Sequence, residues 1–127
     1  MYPEDLRFTE DHEWVRLDGE VATVGISSYA VEELGEIVFV ELPAIGSEIQ
    51  QMAEFGSVES VKTVSSLYLP VGGVISEIND EVVASPETIN NSPFEDGWLV
   101  KIRISDDKEI DDLMTAEEYT KFIQSIE

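Results

Sequence analysis

The chain has 127 residues, 43% of them hydrophobic, with 28 Asp and Glu against 7 Lys and Arg, a formal net charge of −21 and no cysteine. That length suits one domain spanning 1–127 around a single core, and the apolar fraction is that of a folded protein, not of a disordered acidic tail. The charge opposes binding to nucleic acid or anionic lipid, no apolar run approaches the roughly 20 residues of a membrane span, and the lack of cysteine removes disulfides, thiolate metal sites and cysteine nucleophiles.

The opening "MYPEDLRFTE" lacks the basic and apolar regions of a secretory signal and is too acidic for a transit peptide, so the expected location is the cytoplasm; a mature organellar form also fits. "LRFTEDHEWVRL", "EVATVGIS" and "EIVFVEL" are short, rich in Val, Ile, Phe, Trp and Thr, and separated by turn residues, which predicts strands. Within "EVATVGI", Ala22, Val24 and Ile26 alternate with Val21, Thr23 and Gly25, giving one face to bury. An Asp18-Gly19 turn predicts a hairpin of residues 12–17 and 20–26.

"SSYAVEELG" predicts a short helix, with Ser27 or Ser28 as N-cap, Leu34 facing inward and Gly35 closing the C-terminus. "LPAIGSEI" (42–49) resembles "LPVGGVISEI" (69–78), by chance or by internal duplication. Duplication predicts two β-halves related by a pseudo-twofold, with the segment near Lys62 crossing between them. "SPETIN" predicts one helical turn with Pro86 at its first position. The last helix is the clearest: Thr115 and Glu118 form a capping box, and Tyr119, Phe122, Ile123 and Ile126 make an apolar stripe expected to pack on the β core.

Lys62 is the only basic residue between Leu17 and Val100. It lies between the β-type runs "FGSVESV" and "TVSSLYL", which predicts a hairpin with Val61, Lys62 and Thr63 near its tip and the ammonium in water. On chemistry alone three readings are open. The lysine is a solvated residue loosely paired with Glu59; or a Schiff-base nucleophile, which the surrounding carboxylates disfavour; or an attachment point whose acylation would erase its charge.

The motifs "FTEDHEWVR", "VATVGIS", "LGEIVFVELPAIG", "ESVKTVSSLYLPVGG", "INNSPFEDGWLVKI" and "TAEEYTKFI", in this order along nearly the whole chain, resemble the H proteins of the glycine cleavage system. The resemblance implies a mostly β fold, a barrel-sandwich hybrid of two antiparallel sheets with short helices and a C-terminal helix. It also implies lipoic acid in amide linkage on Lys62, with Glu59, Ser60, Val61 and Thr63 as candidates for recognition by a lipoate ligase or lipoyltransferase. The implied role is that of a non-catalytic, monomeric carrier. It takes the aminomethyl group of glycine from the P protein (glycine decarboxylase) to the T protein (aminomethyltransferase), and is reoxidised by the L protein (dihydrolipoamide dehydrogenase).

Asp11, Glu13 and Ser66 are the implied contacts for the loaded arm, with Glu13 read either as an anionic acceptor for the aminomethyl group or as an ordinary exposed strand residue. His12 has no spaced partner ligand, so a structural or arm-docking role is expected in place of metal binding or acid–base catalysis. The chain departs from the family's pattern in two places. Ser66 stands where Asp is common, removing a charge. Gly72 precedes Gly73 where Ser-Gly is usual, which predicts a looser turn. The alternatives are a lipoyl domain or lipoyl relay for 2-oxo-acid dehydrogenases, disfavoured by the missing Ala/Pro linker; a biotinyl domain, disfavoured by Val61 and Thr63 in place of Met; and an unmodified acidic β-sandwich interaction module.

Overall fold

The computed structural model describes residues 2–127. β1 (Arg7–Phe8), β2 (Glu13–Asp18) and β3 (Val21–Ile26) are followed by α1 (Ser28–Leu34), β4 (Ile37–Glu41), β5 (Glu48–Ile49), β6 (Glu54–Ser60), β7 (Val64–Tyr68) and β8 (Gly73–Ile78). Two short helices, α2 (Asp80–Ala84) and α3 (Glu87–Asn91), lead to β9 (Val100–Ile104), a 3-10 segment (Asp107–Asp112), β10 (Met114–Thr115) and α4 (Ala116–Ile126). All pairings are antiparallel, one sheet running β10-β1-β2-β3-β9-β8-β5 and the other β4-β6-β7. This is the two-sheet, mostly β architecture that the sequence predicts.

The sheets share one core. Val15, Val24 and Ile102 come from the larger, Val40, Val58 and Leu67 from the smaller, and all six are buried. Burial of each such side chain stabilises the fold by about 1.5–3 kcal/mol. A second cluster of Leu6, Phe8, Trp14, Ala116, Tyr119 and Ile123 lies under α4. The α4 stripe therefore packs mainly on an aromatic satellite, where Tyr119 stacks on Phe8 at 4.3 Å, while Ile126 remains 47% exposed.

Local signals translate well. Ser27 caps α1 by accepting from the Ala30 N–H, Leu34 packs against the core, and Thr115 and Glu118 form the reciprocal capping box of α4. Several details differ. "LRFTEDHEWVRL" is broken between β1 and β2 by a loop in which His12 adopts φ 75°. The β2–β3 turn is centred on Gly19 and Glu20 because Asp18 pairs with Val21, and the positive φ of 65° falls on Gly19, the residue that adopts it most readily. Pro86 stands at the N-cap position just outside α3 without a side-chain capping hydrogen bond, and α2, capped by Asn79, is an additional helix.

The two similar segments lie beside each other, Glu48 opposite Val74. The Lys62 segment, however, is a hairpin within the three-stranded sheet and does not cross between halves. Nor is the turn at Gly72 loose. A Cβ there would lie 2.8 Å from the Gln51 nitrogen, and the Gly72 N–H donates to Glu109 Oε1 at 2.8 Å, so close backbone approach demands the glycine. Among the described residues, no helix is long and apolar enough to cross a membrane.

Candidate functional site

β6 and β7 pair from Glu54 opposite Tyr68 to Glu59 opposite Val64, and Val61 and Lys62 make the bend. The tip is closed by its own chemistry. The Ser60 N–H donates to the Thr63 carbonyl at 2.8 Å, and Ser60 Oγ accepts from the N–H groups of Lys62 and Thr63, each at 3.1 Å. The Val61 N–H donates to the Glu36 carbonyl at 3.0 Å, tying the tip to the bend between α1 and β4. Every backbone donor from Ser60 to Thr63 is thus satisfied, which holds the bend in one shape without a glycine.

The Glu36 anchor is itself held. Asn90, on α3, donates its side-chain amide to the Gly35 carbonyl at 2.9 Å and accepts the Ile37 N–H at 3.0 Å, gripping the peptides on both sides of Glu36. The Lys62 stem passes over Gly35, where a Cβ would lie 3.4 Å from Cε. Lys62 is exposed, and among the described residues no carboxylate lies within 4.0 Å of its ammonium, so the loose pair with Glu59 that one reading allows is not formed. A lysine nitrogen so placed is an accessible amine on a firm base. The ligase-recognition candidates divide: Glu59, Val61 and Thr63 are exposed, whereas Ser60 is 5% exposed and spends its hydroxyl shaping the tip.

The arm-docking candidates are not gathered in one pocket. Asp11 is exposed and, with Thr9, Gln51, Met52 and Leu113, lines an open cleft of about 380 Å³ that includes neither Lys62 nor Ser66. Ser66 is exposed on β7 opposite Ser57, between the Lys62 tip and Tyr68.

Glu13 is neither an exposed strand residue nor an open acceptor. It is 1% exposed, with Oε1 accepting the Thr9 hydroxyl at 2.6 Å and Oε2 accepting the Tyr68 N–H at 3.1 Å. Burial pushes its carboxyl up to about 7, against the opposing pull of the Thr9 and Tyr68 hydrogen bonds. Its neighbours share the inward turn. His12 Nδ1 bonds the Tyr119 hydroxyl at 2.8 Å, that hydroxyl bonds Ser27 Oγ at 2.7 Å, and burial lowers the imidazole's pKa. The Trp14 indole N–H donates to the carbonyls of Ile26 and Pro93, each at 3.0 Å.

Sequence reasoning missed Thr9 and Asn90. Thr9 also accepts the N–H groups of Asp11 and Glu13, so an Asx/Thr-type loop signal at "TEDHE" was available. The Asn90 partners lie 53 and 55 residues away, and no local pattern reports them.

Two packed antiparallel sheets with one amine displayed at a closed hairpin tip define a barrel-sandwich hybrid of the displayed-lysine kind. The family model described as "Glycine cleavage H-protein" matches residues 6–126. The chain is 50% identical over 125 residues to the glycine cleavage system H protein of Halothermothrix orenii, covering 98% of each chain. It is 50% identical over 121 residues to that of Staphylococcus carnosus, covering 95% of this chain and 96% of that one. A solved glycine cleavage system H protein from Mycobacterium marinum superposes with a TM-score of 0.84 at 39% identity, covering 94% of this chain and 97% of the other. The chain belongs to the glycine cleavage H-protein family.

Proposed function

We propose that the chain is a non-catalytic carrier domain, 1–127, that holds a lipoyl group on Lys62 and moves the aminomethyl group of glycine from the P protein to the T protein, with the L protein completing the cycle. The observation that carries this reading is the Lys62 amine, exposed and without a carboxylate partner on a hairpin tip whose backbone donors are all satisfied. Attachment needs a deprotonated Nζ to attack an activated carboxyl carbon. The N–C bond forms, Nζ loses a proton, and the activating group leaves with the electrons of its bond to carbon. Once bound, the group supplies a redox-active disulfide that accepts the one-carbon fragment.

The rest is the work of this chain's own residues. Ser60 and the Asn90-held Glu36 fix the base of the arm, and a tethered group on a fixed base visits several catalysts at high local concentration. Ser66, exposed on β7, and the Thr9–Asp11 cleft are the surfaces offered to such an arm. Asp11 supplies an exposed anion there for a cationic load, and Glu13, behind Thr9, contributes by holding the loop. The net charge of −21 favours partners with basic rims.

Incubation with lipoate, ATP and a lipoate ligase tests the reading. Intact mass should rise by one lipoyl group less the elements of water, and peptide mapping should place it on Lys62. A chain that stays unmodified, or is modified elsewhere, overturns the proposal.

A further inference from the structure

The outer side of the three-stranded sheet carries a group of exposed apolar residues among its polar ones, on a molecule of net charge −21. A bulge in β4 shifts the register between Ile37 and Phe39, and it leaves the consecutive residues Val38 and Phe39 exposed by 45% and 55%. In a regular strand consecutive side chains alternate between faces, and bulges re-aim them. Phe39, Glu59 and Val64 then form one row across β4, β6 and β7, with Val64 64% exposed and Val61, at the tip itself, 65% exposed. Single exposed apolar residues are ordinary, but Val61 and Val64 lie on the hairpin that displays Lys62 and Phe39 lies on the strand paired to it. The exposed Glu59 carboxylate stands within that row, and the exposed Glu36 and Glu41 flank Val38 and Phe39 along the chain.

We propose that this face, centred on Phe39, Val61 and Val64, is the docking surface for the enzyme that acylates Lys62, a partner presenting an apolar recess rimmed by lysine or arginine. The inference rests on the carrier reading and extends it. An enzyme that brings an activated carboxyl to Nζ must cover the tip, and covering the tip brings it onto Val61 and the Phe39–Glu59–Val64 row. The flanking glutamates require positive charge opposite them. A second copy of the chain is a poor occupant, because each copy carries −21 and brings the same acidic border. Phe39 is the natural anchor, since truncated aromatic side chains dominate losses at such contacts.

The test compares wild type with Phe39→Ser and Val64→Thr, using a purified lipoate ligase with ATP and lipoate and following intact mass over time. Phe39→Ser should lower kcat/KM about tenfold, mostly through KM, and Val64→Thr less; added salt should raise the wild-type KM. Acylation of Lys62 by a small N-hydroxysuccinimide ester, read by peptide mapping, should proceed at one rate in all three. Equal enzymatic kcat/KM in wild type and Phe39→Ser overturns the docking surface, as does a parallel fall in the small-ester rate, which would mean the tip itself had changed. Sedimentation showing a wild-type dimer that Phe39→Ser dissolves also overturns it, in favour of a second copy. If the ligase fails to acylate even the wild-type chain, it is the carrier reading that fails.

Discussion

Two polar stretches of β-rich sequence end in opposite environments. "DHEW" (11–14) turns inward after Asp11, burying Glu13 and Trp14 and half-burying His12, whereas "ESVK" (59–62) turns only Ser60 inward and leaves Lys62 in water. The difference lies in the partners available. Thr9 and the Tyr68 N–H meet the Glu13 carboxyl, Tyr119 meets His12, and two carbonyls meet the Trp14 indole. At the hairpin, Ser60 and Glu36 satisfy the backbone and nothing awaits the ammonium. Burying a polar group costs free energy unless hydrogen bonds replace those to water. Charge in the sequence is therefore left in water at one stretch and built into the architecture at the other.

The contrast can be broken at its exposed end first. Lys62→Ala should abolish lipoyl attachment and all carrier activity in a reconstituted glycine cleavage assay, with a thermal midpoint like that of wild type. Substantial unfolding would make the lysine structural. At the buried end, Glu13→Ala leaves the Thr9 hydroxyl and the Tyr68 N–H facing a cavity, and urea unfolding should show a loss of about 3 kcal/mol. Lys62 should still accept the lipoyl group in that variant.

A pH series sharpens the same point. The Glu13 carboxyl sits at about 7 in the fold against an ordinary 4.5, so between these values the folded chain keeps a proton that the unfolded chain has released. Its contribution to stability is complete below pH 4.5 and declines as pH rises to about 7, by at most about 3 kcal/mol at ~1.4 kcal/mol per unit. The gap in unfolding free energy between wild type and Glu13→Ala should accordingly be larger at pH 5 than at pH 7.5. The smallest effect is expected from Asn90→Ala, which removes two hydrogen bonds around Glu36 and should cost about 1–2 kcal/mol. Hydrogen exchange at the Val61 amide should quicken in that variant, while unchanged protection there would show that the tip does not depend on the grip of α3.

Lys62 was legible as a displayed amine because a lone base between two β-type runs has few other places to go. Glu13 was not, since its sequence context fits a half-exposed strand and its burial depends on Tyr68, 55 residues away. Gly72 misled for a related reason. Its flexibility is a property of the residue, but the Gln51 backbone 2.8 Å from where its Cβ would be is a property of the fold.

The sequence by itself determined the caps of α1 and α4, the alternating face of β3, the hairpin that carries Lys62 and the family, because caps, turns and strand periodicity act among residues a few positions apart. Tertiary structure decided the burial of Glu13, the clamp of Asn90 on Gly35 and Ile37, and the β4 bulge that exposes Phe39. Each of these depends on which distant donor, acceptor or strand the chain brings alongside, and a free energy set by such a meeting leaves no mark on the neighbouring residues.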